Sequence, residues 1–259
     1  MSAKNAFYAQ SGGVTSVINA SACGVIQAAR KHPDKIGNVY AGRNGIIGAL
    51  TEELIDTSQE SDAAIAALKH TPSGGFGSCR FKLKSLEDNK REYERLIEVF
   101  KAHNIGYFFY NGGGDSADTC YKVSQLSEKM GFPVQAIHVP KTVDNDLPIT
   151  DNCPGFGSVA KYIAVSSLEA SFDVRSMAAT STKIFVIEVM GRHAGWIAAA
   201  GGLIEDYGIP VVVLFPEVEF DKEKFLAKVD AKVKEFGYCT IVVSEGCHWP
   251  DGKFLAEQG

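Results

Sequence analysis

Residues 105–131 read IGYFFYNGGGDSADTCYKVSQLSEKMG, and this stretch decides the fold. It opens on an almost unbroken apolar and aromatic run, so both faces of the segment seek burial. A strand of that kind belongs to a sheet covered on both sides. Three glycines follow. They lose more conformational freedom on folding than other residues, which implies that something approaches this backbone closely. From Asp115 onward the spacing predicts a helix. The unit is strand, glycine turn, helix.

The same unit recurs in both directions. Upstream, NAFYAQ (5–10) predicts a strand, SGG a turn, SVINASACGVIQAARKH (16–32) a helix and NVYAGR (38–43) a second strand. REYERLIEVFKAHN (91–104) is an amphipathic helix leading into the opening strand, and VQAIHVP (134–140) is the strand after it. Downstream come helix 157–177, strand KIFVIEVMG (183–191), helix 193–204, strand PVVVLFPE (210–217), charged helix 220–237 and strand CTIVVSEG (239–246). Strand-then-helix repetition with near-continuous apolar strands predicts an α/β protein with mainly parallel sheets. Ligands of such sheets sit beyond the carboxyl ends of the strands, which is where the glycines, aspartates and lysine of this chain fall. DLPITDNCPGFG (146–157) gathers prolines, glycines and polar residues, and the expected domains are 1–153 and 154–259.

Composition narrows the class. The chain has 259 residues, 45% apolar and 22% charged, near the averages for globular proteins. A net charge of −5 argues against an electrostatic nucleic-acid binder. Six cysteines lack any C-x-x-C spacing and suit reduced thiols in the cytosol better than a disulfide framework. No apolar run reaches transmembrane length and the first residues carry no signal-peptide pattern, so a cytoplasmic protein without a membrane or nucleic-acid partner is expected.

Six stretches carry candidate chemistry. SGG (11–13), with Asn19 further along, lies between strand and helix, where backbone N–H groups can face a phosphate; a plain tight turn is the alternative. PSGGFGSCR (72–80) leads to Arg80, whose guanidinium could clamp a phosphate or sit solvated on a loop. In NGGGDSADT (111–119), Asp115 and Ser116 are candidates to cap the next helix, and Asp115 could instead hold Mg²⁺ or repel a wrong ligand. PKTVDNDLP (140–148) sets Lys141 and Thr142 ahead of Asp144 and Asp146. One carboxylate could take a proton from a hydroxyl while the lysine neutralises a phosphoryl group, or the run could be an Asx-turn. EVMGRHAGW (188–196) offers a turn at Met190–Gly191 and a cation at Arg192, with His193 read as structural or on the surface. Glu245, in VVSEG (242–246), ends another strand, where carboxylates accept sugar hydroxyls.

Taken in order, SGG, GGFGSCR, GGGDS, PKTVDNDLP, VIEVMGRHAG and VVSEG resemble the 6-phosphofructokinase family along the whole chain. The resemblance implies two Rossmann-like three-layer α/β/α domains with the active site in the cleft between them. It implies that Asp144 deprotonates the C1 hydroxyl of fructose 6-phosphate, with Lys141 and Asp115 also in the catalytic set. Thr142 and Asp146 resemble neighbours of the sugar and the phosphoryl group. Met190, Gly191 and Arg192 match the sugar-phosphate turn, and Glu245 a sugar-binding carboxylate. Gly12, Gly13 and Arg80 match contacts to the donor phosphates. Lys183 stands where the family often has an arginine reaching the substrate of a neighbouring subunit. A homodimer or homotetramer is expected on the same ground.

Two positions bear on the donor. ATP-using members of the family typically carry GGDGS and PGTIDND, whereas this chain has GGGDS and PKTVDND. Asp115 and Lys141 both resemble the pyrophosphate-dependent members. Asp115 adds bulk and negative charge where a nucleotide would continue, and Lys141 supplies a cation for the phosphoryl group in transfer. The expected cofactor is Mg²⁺. The family aspartate associated with it corresponds to Gly114, which leaves Asp115, water-linked carboxylates or pyrophosphate itself as its holder. An ATP-dependent kinase and a non-catalytic or truncated subunit of the same fold are the alternative readings. The family's G-H-x-Q-R-G-G segment has no counterpart here, so the chain is expected to resemble the first part of a longer enzyme.

Overall fold

Ala6 and Tyr8 face one way and Phe7 and Ala9 the other, all fully buried, so the first strand is covered on both sides. The computed structural model describes residues 3–85 and 88–258. It divides into two compact units, Met1–Thr142 and Val143–Gly259.

In the first unit the elements run β1 (Lys4–Gln10), α1 (Ile18–Arg30), β2 (Ile36–Gly42), α2 (Ile46–Thr51), β3 (Leu54–Asp56), α3 (Asp62–Ala67), α4 (Lys90–Ala102), β4 (Ile105–Gly112), α5 (Gly114–Lys129) and β5 (Gln135–Pro140). The sheet order is β3-β2-β1-β4-β5. All pairings are parallel except β2 with β3, a three-residue antiparallel edge. Alternation along β1 splits the core in two. Phe7 and Ala9 join Phe100, Phe108 and Tyr110 on one face, while Ala6 and Tyr8 join Ala22, Cys23 and Ile26 of α1 on the other. The Phe7 ring lies 5.5 Å from that of Phe100 and 5.8 Å from that of Phe108.

In the second unit the elements are α6 (Phe156–Met177), β6 (Ile184–Val189), α7 (Trp196–Gly202), β7 (Val211–Leu214), α8 (Lys222–Phe236) and β8 (Cys239–Ser244). A parallel sheet of order β6-β8-β7 results. Val211 and Val242 pack with Ile163 and Ile197 on one face, and Val212 and Ile241 with Val229 of α8 on the other. Asp221 caps α8 by accepting the Lys224 N–H at 3.0 Å, and Gly237 ends the helix at φ +86°. The edge strand β6 keeps Ile184 and Val186 about half exposed.

The fold is thus mixed α/β with mainly parallel sheets, and the foreseen strands and long helices stand close to their expected positions. Three short elements were not foreseen: α2, β3 and α3. At three to six residues each, they are too brief to show a period. The division between units falls ahead of the 153/154 break read from the sequence. Val143, Phe156 and Val159 all pack on the core of the second unit, which claims the intervening turn.

No helix among the described residues is long and apolar enough to cross a membrane.

Candidate active site

In the first unit, the carboxyl ends of β1, β4 and β5 converge through backbone bonds. Ser11 N–H donates to the Asn111 carbonyl at 2.8 Å, and Gly12 N–H donates to the Cys79 carbonyl at 2.9 Å. Ser78 Oγ returns a bond to the Gly12 carbonyl at 2.7 Å. This pairing brings Arg80 beside the glycines: a Cβ added to Gly13 would lie 3.3 Å from Arg80 Nη2. Gly12 holds φ +75°, and a Cβ there would lie 3.5 Å from Lys141 Nζ. Two cations from distant parts of the chain therefore flank a two-glycine turn, a pairing suited to a polyanion. Lys141 is 6% exposed, which removes most of the water that would screen its charge. Asn19 braces the neighbouring loop, accepting from Gly75 N–H at 2.7 Å and donating to the Thr71 carbonyl at 2.9 Å.

The β4–α5 turn is tied to the same place. The Gly112 carbonyl accepts Lys141 N–H at 3.0 Å and lies 2.9 Å from His138 Nε2, within hydrogen-bond distance. Gly112 is sterically required, since a Cβ there would lie 2.0 Å from Ser116 Oγ. Gly114 differs: a Cβ there would meet nothing within 4 Å. Asp115 and Ser116 do not cap α5 as the sequence suggested. The helix begins at Gly114, both residues lie in its first turn, and no side chain among those described caps it. Asp115 is instead paired with Lys82 at 2.8 Å, both largely exposed, and this partner holds the lysine above its usual pKa. Beneath the turn, Asn111 Nδ2 donates to Tyr8 Oη at 2.8 Å. Burial pushes the phenols of Tyr8 and Tyr110 up to about 12.

In the second unit, the ends of β6 and β8 are stitched together. Glu245 N–H donates to the Val189 carbonyl at 2.8 Å, Gly191 N–H donates to Glu245 Oε1 at 3.3 Å, and Ser244 Oγ donates to the Gly191 carbonyl. Gly191 sits at φ +131° with the Ala194 carbonyl 2.4 Å from where a Cβ would lie. A Cβ on Gly246 would lie 1.8 Å from the Arg192 carbonyl oxygen. Met190, Gly191, Arg192 and Glu245 thereby gather at the ends of these two strands, Gly191 buried and Met190 and Arg192 exposed. Glu217, which the sequence reading did not single out, accepts Gly195 N–H at 2.7 Å and steadies the turn into α7.

The turn after Thr142 carries the two aspartates. Asp144 is half-buried with its Oδ1 fully enclosed, and Asp146 is exposed. Lys183 does not join Met190 and Arg192. It precedes β6, so a six-residue strand of about 20 Å separates it from them, and its ammonium donates to the Ala178 carbonyl at the end of α6.

The family model for phosphofructokinase matches residues 5–258. The chain belongs to the phosphofructokinase family. A pyrophosphate–fructose 6-phosphate 1-phosphotransferase of Methylococcus capsulatus is 75% identical over 261 residues, covering all of this chain and 62% of that protein. One of Halomonas elongata is 72% identical, again over 62% of its length. The crystal structure of a pyrophosphate-dependent phosphofructokinase from Nitrosospira multiformis matches with a TM-score of 0.91 at 78% identity, over 96% of this chain and 62% of that one. The chain spans about three-fifths of the length of the curated relatives it matches.

Two further site features escaped the sequence reading. Lys82 pairs with Asp115 across 33 positions, a distance over which no periodic signal operates. Asn145 spans the segment after it, its Nδ2 donating to the Asp151 carbonyl and its Oδ1 accepting Cys153 N–H. Among the described residues no three His, Cys, Asp or Glu side chains gather into a cluster that could hold a metal ion, and the Asp115 carboxylate is already engaged by Lys82.

Proposed function

We propose that the protein transfers a phosphoryl group from pyrophosphate to the C1 hydroxyl of fructose 6-phosphate. The products are fructose 1,6-bisphosphate and orthophosphate, and the reaction runs in both directions. The observation that carries this reading is the buried ammonium of Lys141 against the Gly12 backbone, with Arg80 on the adjoining glycine. A nucleotide donor needs open space there; pyrophosphate needs only concentrated positive charge.

Each unit has its part in the reading. Gly12, Gly13 and Arg80 of the first hold the pyrophosphate, and Lys141 neutralises charge as it shifts between phosphoryl oxygens. Asp115 stands at the first turn of α5 and disfavours a longer, more anionic donor. In the second unit Met190, Gly191 and Arg192 take the sugar phosphate, and Glu245, held by Gly191 N–H, accepts sugar hydroxyls. Asp144 receives the proton of the C1 hydroxyl, flanked by Thr142 and Asp146. Both units are read as Rossmann-like three-layer domains serving one reaction. Magnesium enters with pyrophosphate, as part of the substrate. The enzyme is read as a cytoplasmic homodimer or homotetramer, and Lys183 as facing the substrate of a neighbouring copy.

A coupled assay on the full-length enzyme, with pyrophosphate and with ATP, tests the reading. Turnover with pyrophosphate is expected, and Asp144→Ala should lower kcat by about 10²–10⁴-fold. Turnover with ATP alone overturns the donor assignment. Undiminished turnover in Asp144→Ala overturns the mechanism.

A further inference from the structure

We propose that Asn145 is a positioning residue that gives Asp144 and Asp146 different surroundings, an inference that rests on Asp144 being the base. In an extended run, side chains two apart point the same way. Asn145 interrupts the run with φ +56°, a left-handed backbone in which asparagine is several-fold enriched. Its own amide holds that conformation: Nδ2 donates to the Asp151 carbonyl at 3.0 Å, and Oδ1 accepts Cys153 N–H at 2.7 Å. Asn145 is 7% exposed and Cys153 2%, so the bond between them lies away from water, where a lost partner leaves a buried backbone group unsatisfied; the bond to the exposed Asp151 is only part-buried.

The effect is legible on either side of it. Asp144 turns inward with Oδ1 enclosed, while Asp146 stays in solvent. Two carboxylates of the same chemistry acquire two environments, a common way of dividing roles at a site. The same staple closes the segment 145–153 around Ile149, a β-branched residue at φ +57° that is fully exposed. A β-branched side chain is disfavoured in that backbone, so the segment needs an anchor of this kind. From there the chain enters α6 through Gly155 at φ +104°.

The test uses the full-length enzyme with pyrophosphate and fructose 6-phosphate. Asn145→Gly keeps the left-handed backbone without strain and removes both bonds. Asn145→Asp keeps the acceptor for Cys153 N–H and removes only the donor to Asp151. The glycine variant should lose about 10²-fold in kcat, as a small misplacement of a reacting group does, with both KM values within about threefold of wild type. The aspartate variant should lose less. An active wild type with an unimpaired glycine variant overturns this inference alone, as does a loss expressed in KM with kcat intact. Should the glycine variant not fold, the aspartate variant decides by the same split of kcat from KM. A wild type without pyrophosphate turnover overturns the functional reading and this inference with it.

Discussion

At the end of β4, a Cβ on Gly114 would meet nothing within 4 Å; at the end of β8, one on Gly246 would lie 1.8 Å from the Arg192 carbonyl oxygen. Both glycines sit where a parallel strand gives way to a turn, yet they serve different needs. The first turn leaves its backbone open above the helix start, flanked by the charges of Lys82 and Asp115. The second turn uses glycine to let two backbones touch, so that Glu245 and Arg192 are held at fixed spacing. Access governs one and rigidity the other.

Alanine at these glycines is the most direct way to break the comparison. Gly246→Ala forces the β8 turn off the Arg192 carbonyl and should cost about 3 kcal/mol or more, read as a lowered denaturation midpoint of the second unit. A change below about 0.5 kcal/mol, the ordinary range for harmless surface substitutions, would show that the stitch is loose.

Alkali should discriminate next. Tyr8 and Tyr110 lie under the first turn with pKa values raised to about 12, against about 10 when unfolded. The unfolded chain therefore loses these protons first as pH rises. The contribution of each phenol is complete below pH 10 and is lost toward pH 12, at roughly 1.4 kcal/mol per pH unit. In the second unit Tyr238 is shifted in the same direction. Alkaline melting followed by phenolate absorbance should release the first unit with the steeper slope, and Tyr8→Phe should flatten it. Equal slopes in the two units would contradict the assignment.

The smallest effect belongs to Gly114→Ala. In a helix first turn with open space around it, alanine should stabilise the first unit by about 0.5–1 kcal/mol. The same substitution should raise KM for pyrophosphate a few-fold if the donor rests on that backbone. Stability gained without any change in KM would confine the donor to Gly12, Gly13 and Arg80.

Much of this was written in local pattern. Strand β4 and helix α5 follow from an apolar run, three glycines and helical spacing, and every other strand but β3 announced itself the same way. The glycine turns were legible because glycine has few other reasons to cluster at strand ends. Elements α2, β3 and α3 were not, being shorter than the windows in which period can be read. The site followed the same rule. Gly12, Gly13 and Lys141 lie in recognisable turns, whereas the Lys82–Asp115 pair and the Glu217 brace depend on tertiary neighbours. Asp115 and Ser116 looked like helix caps because their residue types suit that role, but the helix starts one residue earlier and leaves them inside it.

Two of the sheet margins carry a last consequence, for handling the protein in solution. β3 ends the first sheet with three residues, too short a template for another chain to pair with. β6 ends the second with six residues, with Ile184 and Val186 turned outward. Of these two margins β6 is therefore the one that offers a template for intermolecular strand addition, and Val186→Lys is the substitution expected to blunt it.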